Sequence, residues 1–491
     1  MPTPIFEHEF AALGEAFHAA ISPTPVAAPD WIARNDRLAE SLGIDPDWLA
    51  SDDGLAMVAG NRLPQDARPL AMAYAGHQFG HFVPQLGDGR AALLGELLDQ
   101  QGHRFDVQLK GAGPTPFSRG GDGRSSIGPV VREYLASEAM HALGIPTTRA
   151  LAAVSTGEDV FRQRPEPGGI LCRVARSHLR VGTFEFFARR GRVKEVETLC
   201  RYALQRLYPE AADSHPARSL LHAVITAQAD LVARWMLVGF IHGVMNTDNC
   251  SISGETIDYG PFGYLEAFKP NTVYSSIDRM GRYAWQAQPG IAQWNLARLA
   301  ECLLPLLNAN EAAALDEANS LIHGFGEAFE RCFQAGLAAK IGLAETRDGD
   351  EALARELLQL MESGEADFTL AFRRLSELGD QPDERDLAAR ALFTKPDAFD
   401  AWARRWRERL ASEGRPEAAR LASMKSVNPA FILRNHLAQQ AVDAAIERLD
   451  FAPMQRLQSV LIRPCNDQPE AADLARPAKP SERVTETFCG T

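Results

Sequence analysis

Hydrophobic and polar positions change their period along this chain. In HRFDVQLKGAG, residues 103–113, Phe105, Val107 and Leu109 alternate with Asp106, Gln108 and Lys110. That two-residue period predicts a half-buried strand stopped by glycine. AALLGELLD just before it, RALAAVSTG at 149–157 and GGILCRVA at 168–175 read as further short strands. Between them, SSIGPVVREYLASEAMHALG carries a helical pattern, with Ser125 or Ser126 as cap, Pro129 in an early turn and Gly144 as stop. From about residue 195 the texture is helical and rich in Ala and Leu, as in ARSLLHAVITAQADLVARWMLVGFIHG and EAAALDEANSLIHGFGEAFERCFQAG. Only 242–290 interrupts it with glycine-rich polar sequence. No internal repeat is visible. The pattern predicts an α+β chain in four parts: an N-terminal extension (1–60), a strand-rich lobe (61–190), a helical lobe (191–460) and a loosely held tail (461–491).

Composition narrows the function classes. With 45% hydrophobic and 23% charged residues, the 491 residues have the make-up of a globular protein with room for more than one lobe. No apolar run reaches the roughly eighteen residues of a membrane span, so no membrane partner is expected. The start, MPTPIFEHEFAAL, lacks the basic segment and apolar run of a secretory signal, and a cytoplasmic location is the expectation. A net charge of -13 argues against a nucleic-acid partner. It leaves a nucleotide site open, because phosphate sites are built locally. The seven cysteines include no C-x-x-C pair, which disfavours structural zinc.

Four stretches carry candidate chemistry. HGVMNTDNCSISGETIDYGPFG, 242–263, brings Asp248, Asn249 and Asp258 close together. Magnesium takes octahedral oxygen ligands, and Asp258, the Asn249 amide and phosphate oxygens would supply them. Asp248 would then be free to accept a proton from an attacking hydroxyl; the alternative is an Asx-turn loop. In GHQFGHFVPQLGDGRAALLGE, Gly87 and Gly89 bracket Asp88 and Arg90 follows, which suits either an anion loop or a D-G hairpin turn. Lys110 ends the polar face of its strand, and Glu133 lies on the helix after it, with Glu138 on a different face. Finally, Asp122 and Gly123 sit between Arg119 and Arg124, and CRVARSHLRVGTFEFF adds Arg173, Arg176 and Arg180. On a helix those last three would form one basic stripe fit for an anion; singly, each would pair with surface acids.

Glycine loop, strand lysine, helical glutamate, loop asparagine and metal aspartate follow one another as in a protein kinase, which predicts a protein-kinase-like two-lobed fold. The departures are a missing H-R-D, with Val244 where its acid would stand, and a missing A-P-E. The chain more closely resembles the selenoprotein O (YdiU) family, on AGHQFGHFVPQLGDGRA, DVQLKGAGPTPFSRGGDGRSS, REYLASEAMHALGIPTTRAL, HGVMNTDNCSISGETIDYGPFG and NPAFILRNHLAQQAV. The likeness runs from about residue 5 to the C-terminus. It implies a kinase-like protein adenylyltransferase that moves AMP from ATP onto Ser, Thr or Tyr hydroxyls of protein substrates and releases pyrophosphate. UMP transfer from UTP with Mn²⁺, or a non-catalytic nucleotide-binding scaffold, are the alternatives. The resemblance further implies that Lys110, positioned by Glu133, grips phosphates. Gly87, Gly89, Arg90, Asp122, Gly123, Arg173 and Arg180 would contact a nucleotide bound in a flipped orientation. Asn249 and Asp258 would hold Mg²⁺ or Mn²⁺, Asp258 also meeting the nucleotide, and Asp248 would be the proton acceptor. Some bacterial members pair a C-terminal thiol, here Cys489, with a cysteine after the metal aspartate. In this chain FKPNTVYSSIDRMGRY has no cysteine and Tyr274 at that place, so no such latch is expected; Cys250 is expected to be a packing residue.

Overall fold

The computed structural model describes residues 3–487. Its central feature is an antiparallel sheet in the order β1-β3-β6-β7-β10-β9-β2. The strands are β1 (His18–Ala20), β2 (Asp30–Arg34), β3 (Leu70–Met72), β6 (Ala91–Leu98), β7 (Arg104–Lys110), β9 (Arg149–Phe161) and β10 (Pro165–Ala175). The short β8 (Ser125–Ser126) pairs with β10, while β4 (Gly76–Gln78) and β5 (His81–Val83) form a separate hairpin. The first 60 residues are therefore no mere extension: β1 and β2 are the two edges of the sheet.

Alternation along the strands sorts the residues by face. Val107 and Leu109 of β7, with Ile170, Cys172 and Val174 of β10, share a core with Leu38, Trp48, Met57 and Val58 of three short helices, α1 (Asp36–Ser41), α2 (Pro46–Ala50) and α3 (Asp52–Val58). These helices begin at caps the sequence supplies: Asn35, Asp45 and Ser51 each accept a backbone N–H in the first turn. The other strand face carries Asp106, Gln108, Lys110 and Arg173. It looks toward α4 (Ile127–Ala142) and the helical body.

Helix α4 is buried nearly all round, between the sheet and two late helices, Asn435–Arg448 and Ala452–Leu461. Ser126 stands at its N-cap position, yet its side chain makes no capping bond. A helix so enclosed must satisfy each polar side chain individually. Glu138 accepts from Arg149 at 2.7 Å and Asn35 at 2.7 Å, while Glu133 faces the opposite way, toward Lys110.

The body after the sheet is helical. It starts with α5 (Val181–Ala188), α6 (Val193–Leu207) and α7 (Pro216–Leu237), and continues with α8 (Gln288–Leu307) and α9 (Glu311–Lys340). Helix α7 packs on α6, α8 and α9, and burying each Leu, Val or Ile along it contributes about 2 kcal/mol. Between α7 and α8 the chain turns into β11 (Phe240–Ile241), runs through the polar segment 242–262, and returns as β12 (Gly263–Tyr264). Residues 465–487 are held, contrary to the loose tail their composition suggested. Ala471 and Leu474 are buried, and Thr487 N–H donates to Tyr274 O at 2.7 Å. Cys489 lies outside the described residues. No described helix is long and apolar enough to cross a membrane.

Candidate active site

Strands β7 and β10 run side by side, with Arg173 opposite Gln108 and Leu171 opposite Lys110. This register puts a lysine and an arginine on one buried face, and α4 brings Glu133 beneath them. Lys110 Nζ donates to Glu133 Oε2 at 2.6 Å and to Asp258 Oδ1 at 2.9 Å. Arg173 donates to the same Asp258 oxygen at 2.6 Å, to Glu133 Oε1 at 3.2 Å and to Gln108 Oε1 at 2.8 Å. Arg180, at the cap of α5, reaches Asp258 Oδ2 at 3.2 Å and lies over the Tyr74 ring at 4.5 Å. The basic stripe imagined on one helix does not exist. Arg173 sits in β10, Arg176 follows the strand and binds Leu207 O, and Arg180 caps the next helix. Burial acts to raise the Asp258 carboxyl, but Lys110, Arg173 and Arg180 outweigh it and hold the group well below the usual carboxylate range. Its backbone is left-handed, φ 58°, an uncommon state for a residue with a Cβ. The three cations give that conformation its counterweight.

Ten residues earlier, the same loop presents a different carboxylate. Asn246 Oδ1 accepts from Phe79 N at 3.0 Å and Tyr283 Oη at 2.6 Å, and His242 Nε2 meets Ile257 O at 2.9 Å. The His242 bond ties the two limbs of the loop together, and the Asn246 bonds anchor it to Phe79 and Tyr283. Asn249 Nδ2 donates to Val244 O at 3.0 Å, which leaves its amide oxygen available as a ligand. Asp248 Oδ2 accepts from Gln78 Nε2 at 3.2 Å, whereas Oδ1 is buried with no hydrogen-bond partner. Burial, only partly offset by the Gln78 hydrogen bond and the charge of Arg180, pushes Asp248 up to about 7. That is close to the value at which a general base works best near neutral pH.

Two loops close the space above these groups. Gly87 has φ 71°, and a Cβ there would collide with the Phe117 ring; one on Gly89 would meet the Phe117 carbonyl at 2.9 Å. The glycines thus let the loop before β6 lie directly on the loop before β8. Asp88 is no hairpin-turn residue. It is buried, accepting from Met72 N at 3.1 Å and Gln108 Nε2 at 2.8 Å. Arg90 is half-buried, and its carbonyl accepts from Gly111 N at 2.7 Å. Gly123 is left-handed at φ 65°, and the Asp122 carboxylate accepts from Arg162 at 2.8 Å and 3.2 Å.

All the sequence-predicted residues, Gly87, Gly89, Arg90, Lys110, Asp122, Gly123, Glu133, Arg173, Arg180, Asp248, Asn249 and Asp258, border one cavity of about 1010 Å³. Sequence reasoning missed Tyr74, Gln78, Gln108 and Asn246, and treated Asp88 as a turn. Gln108 had a signal, since it shares the polar strand face with Lys110. Thr487, the last described residue, and Ser275–Ile277 also line the cavity. Cys250 is buried and unpaired, its thiol pushed up to about 12 by burial, as a packing residue should be.

No group of three or more His, Cys, Asp or Glu able to hold a metal occurs among the described residues. The donors here are one carboxylate and one amide oxygen, a hard-oxygen pair. Such a pair fits a magnesium-like ion whose remaining ligands come from phosphates and water. Asp258 already contacts three cations, so an entering anion is needed to take up the positive charge that a metal would displace.

A sequence model of the family described as protein adenylyltransferase SelO matches residues 3–462. The chain is also similar to proteins named protein nucleotidyltransferase YdiU. The one from Alkalilimnicola ehrlichii is 61% identical over 488 residues, 99% of this chain and 98% of that protein. One from Rhodopseudomonas palustris is 57% identical over 487 residues, 99% of each chain.

Proposed function

Because this chain belongs to the SelO family of nucleotidyltransferase enzymes, we propose that its cavity binds ATP with a divalent cation and transfers AMP to Ser, Thr or Tyr hydroxyls of proteins. One observation carries the reading: a single cavity holds an aspartate engaged by three cations and, ten residues away, an aspartate with one oxygen free. In this reading the fold is protein-kinase-like, with the sheet and α4 as one lobe and the helical body as the other.

The residues divide the work. Lys110, Arg173 and Arg180 are balanced in the structure by Glu133 and Asp258, and a triphosphate would exchange for part of that balance. The Asn249 and Asp258 oxygens would hold Mg²⁺ or Mn²⁺, which when bound supplies positive charge against the phosphate oxygens. Asp248 takes the proton of the acceptor hydroxyl as the hydroxyl oxygen bonds to the α-phosphorus. The bond from that phosphorus to the α,β-bridging oxygen breaks, and pyrophosphate leaves toward the cationic cluster. Fixed cations stabilise this developing charge without reorganising. The loops bearing Gly87, Gly89 and Arg90, and Asp122 and Gly123, close over the nucleotide.

The test is label retention. Purified protein with Mg²⁺ and ATP labelled on the α-phosphate should become labelled, while ATP labelled on the γ-phosphate should leave it unlabelled. Retention from the γ-phosphate alone would make it a kinase. A parallel incubation with UTP and Mn²⁺ measures nucleotide choice.

A further inference from the structure

The hairpin of β4 and β5 makes contacts that the functional reading above does not use. It lies directly against the loop that carries Asp248, and successive residues are joined across that contact. His77 N–H donates to Thr247 Oγ1 at 2.6 Å, and Phe79 N–H donates to Asn246 Oδ1 at 3.0 Å. Thr247 in turn donates to Glu185, whose other carboxylate oxygen meets the His77 ring. The backbone of the hairpin and a buried side-chain network behind it therefore fix where the loop sits.

Two hairpin residues act on Asp248 itself. Gln78 Nε2 donates to Oδ2, and a carboxylate oxygen only accepts, so the amide nitrogen is the atom that must face it. Gly76 faces the other oxygen. A Cβ at position 76 would stand 2.5 Å from Asp248 Oδ1, so only a residue without one leaves that oxygen its place. The outcome is an asymmetric carboxylate, Oδ2 held by the amide and Oδ1 buried against Gly76 without a hydrogen-bond partner, in a residue that lines the cavity.

We propose that Gln78 is a positioning residue for nucleotidyl transfer, holding Asp248 Oδ2 and so fixing the orientation in which the carboxylate meets the acceptor hydroxyl. The assignment rests on Asp248 being the proton acceptor. Gln78 makes no hydrogen bond to Lys110, Glu133 or Asp258, so its effect should fall on turnover and spare nucleotide binding.

Two variants test it in the full-length protein: Gln78→Met, which keeps length without a donor, and Gln78→Glu, which keeps shape but replaces the donor with an acceptor. Turnover is followed with α-labelled ATP and Mg²⁺, and nucleotide affinity with the uncleavable α,β-methylene ATP. Loss of positioning should lower kcat by about 10- to 100-fold, within the reach of general-base catalysis. KM for ATP, affinity for the analogue and melting temperature should stay near those of the unsubstituted protein. Since His77 and Phe79 hold the hairpin through backbone N–H groups, the fold should tolerate both changes. The proposal is overturned if either variant keeps kcat within about twofold, or if kcat and analogue affinity fall together. Absence of α-label transfer by the unsubstituted protein would instead refute the nucleotidyl-transfer reading, and this assignment with it.

Discussion

Asp258 and Asp248 belong to one loop and one cavity, but their surroundings push them in opposite directions. Asp258 is approached from the sheet by Lys110 and Arg173 and from the start of α5 by Arg180, and it stays ionised. Asp248 is approached from the hairpin by a neutral amide and is pushed up to about 7 by burial. Two like groups separated in this way are suited to two tasks, one holding charge and the other moving a proton. The difference comes from which element each faces: a cationic strand face for one, an uncharged hairpin for the other.

That comparison breaks most completely at the cationic cluster. Asp258→Asn should lower AMP transfer by about 10³-fold, read as α-label incorporation, because metal and phosphates lose their shared anchor. The same variant should melt at a lower temperature, since three buried cations lose their counter-charge. Lys110→Ala should cost about 10²-fold in transfer while lowering melting only slightly, as the lysine is the most exposed of the three cations. On the other side of the comparison, Asp248→Asn should reduce kcat by about 10²-fold and leave binding of α,β-methylene ATP within about twofold. Equal losses of binding in the Asp248 and Asp258 variants would erase the division of labour. Gly87→Ala should weaken nucleotide binding by about tenfold, because the added Cβ drives the loop away from Phe117.

A buried lysine far from the site calibrates the electrostatics. Lys340 is buried beside the Phe372 ring at 4.3 Å, and burial lowers its ammonium to about 7 from an ordinary value of 10.5. Between those values the folded chain binds fewer protons than the unfolded chain, so this group's penalty is full below pH 7 and fades as pH rises toward 10.5. Lys340→Met should therefore raise the melting temperature by about 2 °C at pH 6, with a smaller gain at pH 9.

Much of this site was legible in the sequence because its parts lie in regular or sharply patterned segments. The alternation through Phe105, Val107 and Leu109 placed Lys110 on a polar strand face, and the helical period separated Glu133 from Glu138. Arg173, Arg176 and Arg180 were misread because their spacing matches a helical turn. The β-rich run ILCRVA, which contains Arg173, was the better guide, and the structure ends its strand at Ala175. Asp88 looked like a turn residue because its acceptors' donors, Met72 N and Gln108, are distant in sequence. The tail looked loose for a similar reason: its proline and charge content is that of a flexible end, while its attachments to Tyr274 and the core are tertiary. Gln78 carried no local signal, since its partner lies 170 residues away.

The central claim is that one carboxylate and one amide hold the metal only together with the phosphates that the cations bring in. Manganese binding followed by electron paramagnetic resonance, with and without α,β-methylene ATP, tests it directly. The account predicts that the nucleotide tightens Mn²⁺ binding by at least about tenfold in the unsubstituted protein, and that Asp258→Asn and Asn249→Ala each abolish this coupling. Undiminished, nucleotide-enhanced Mn²⁺ binding in both variants would contradict it.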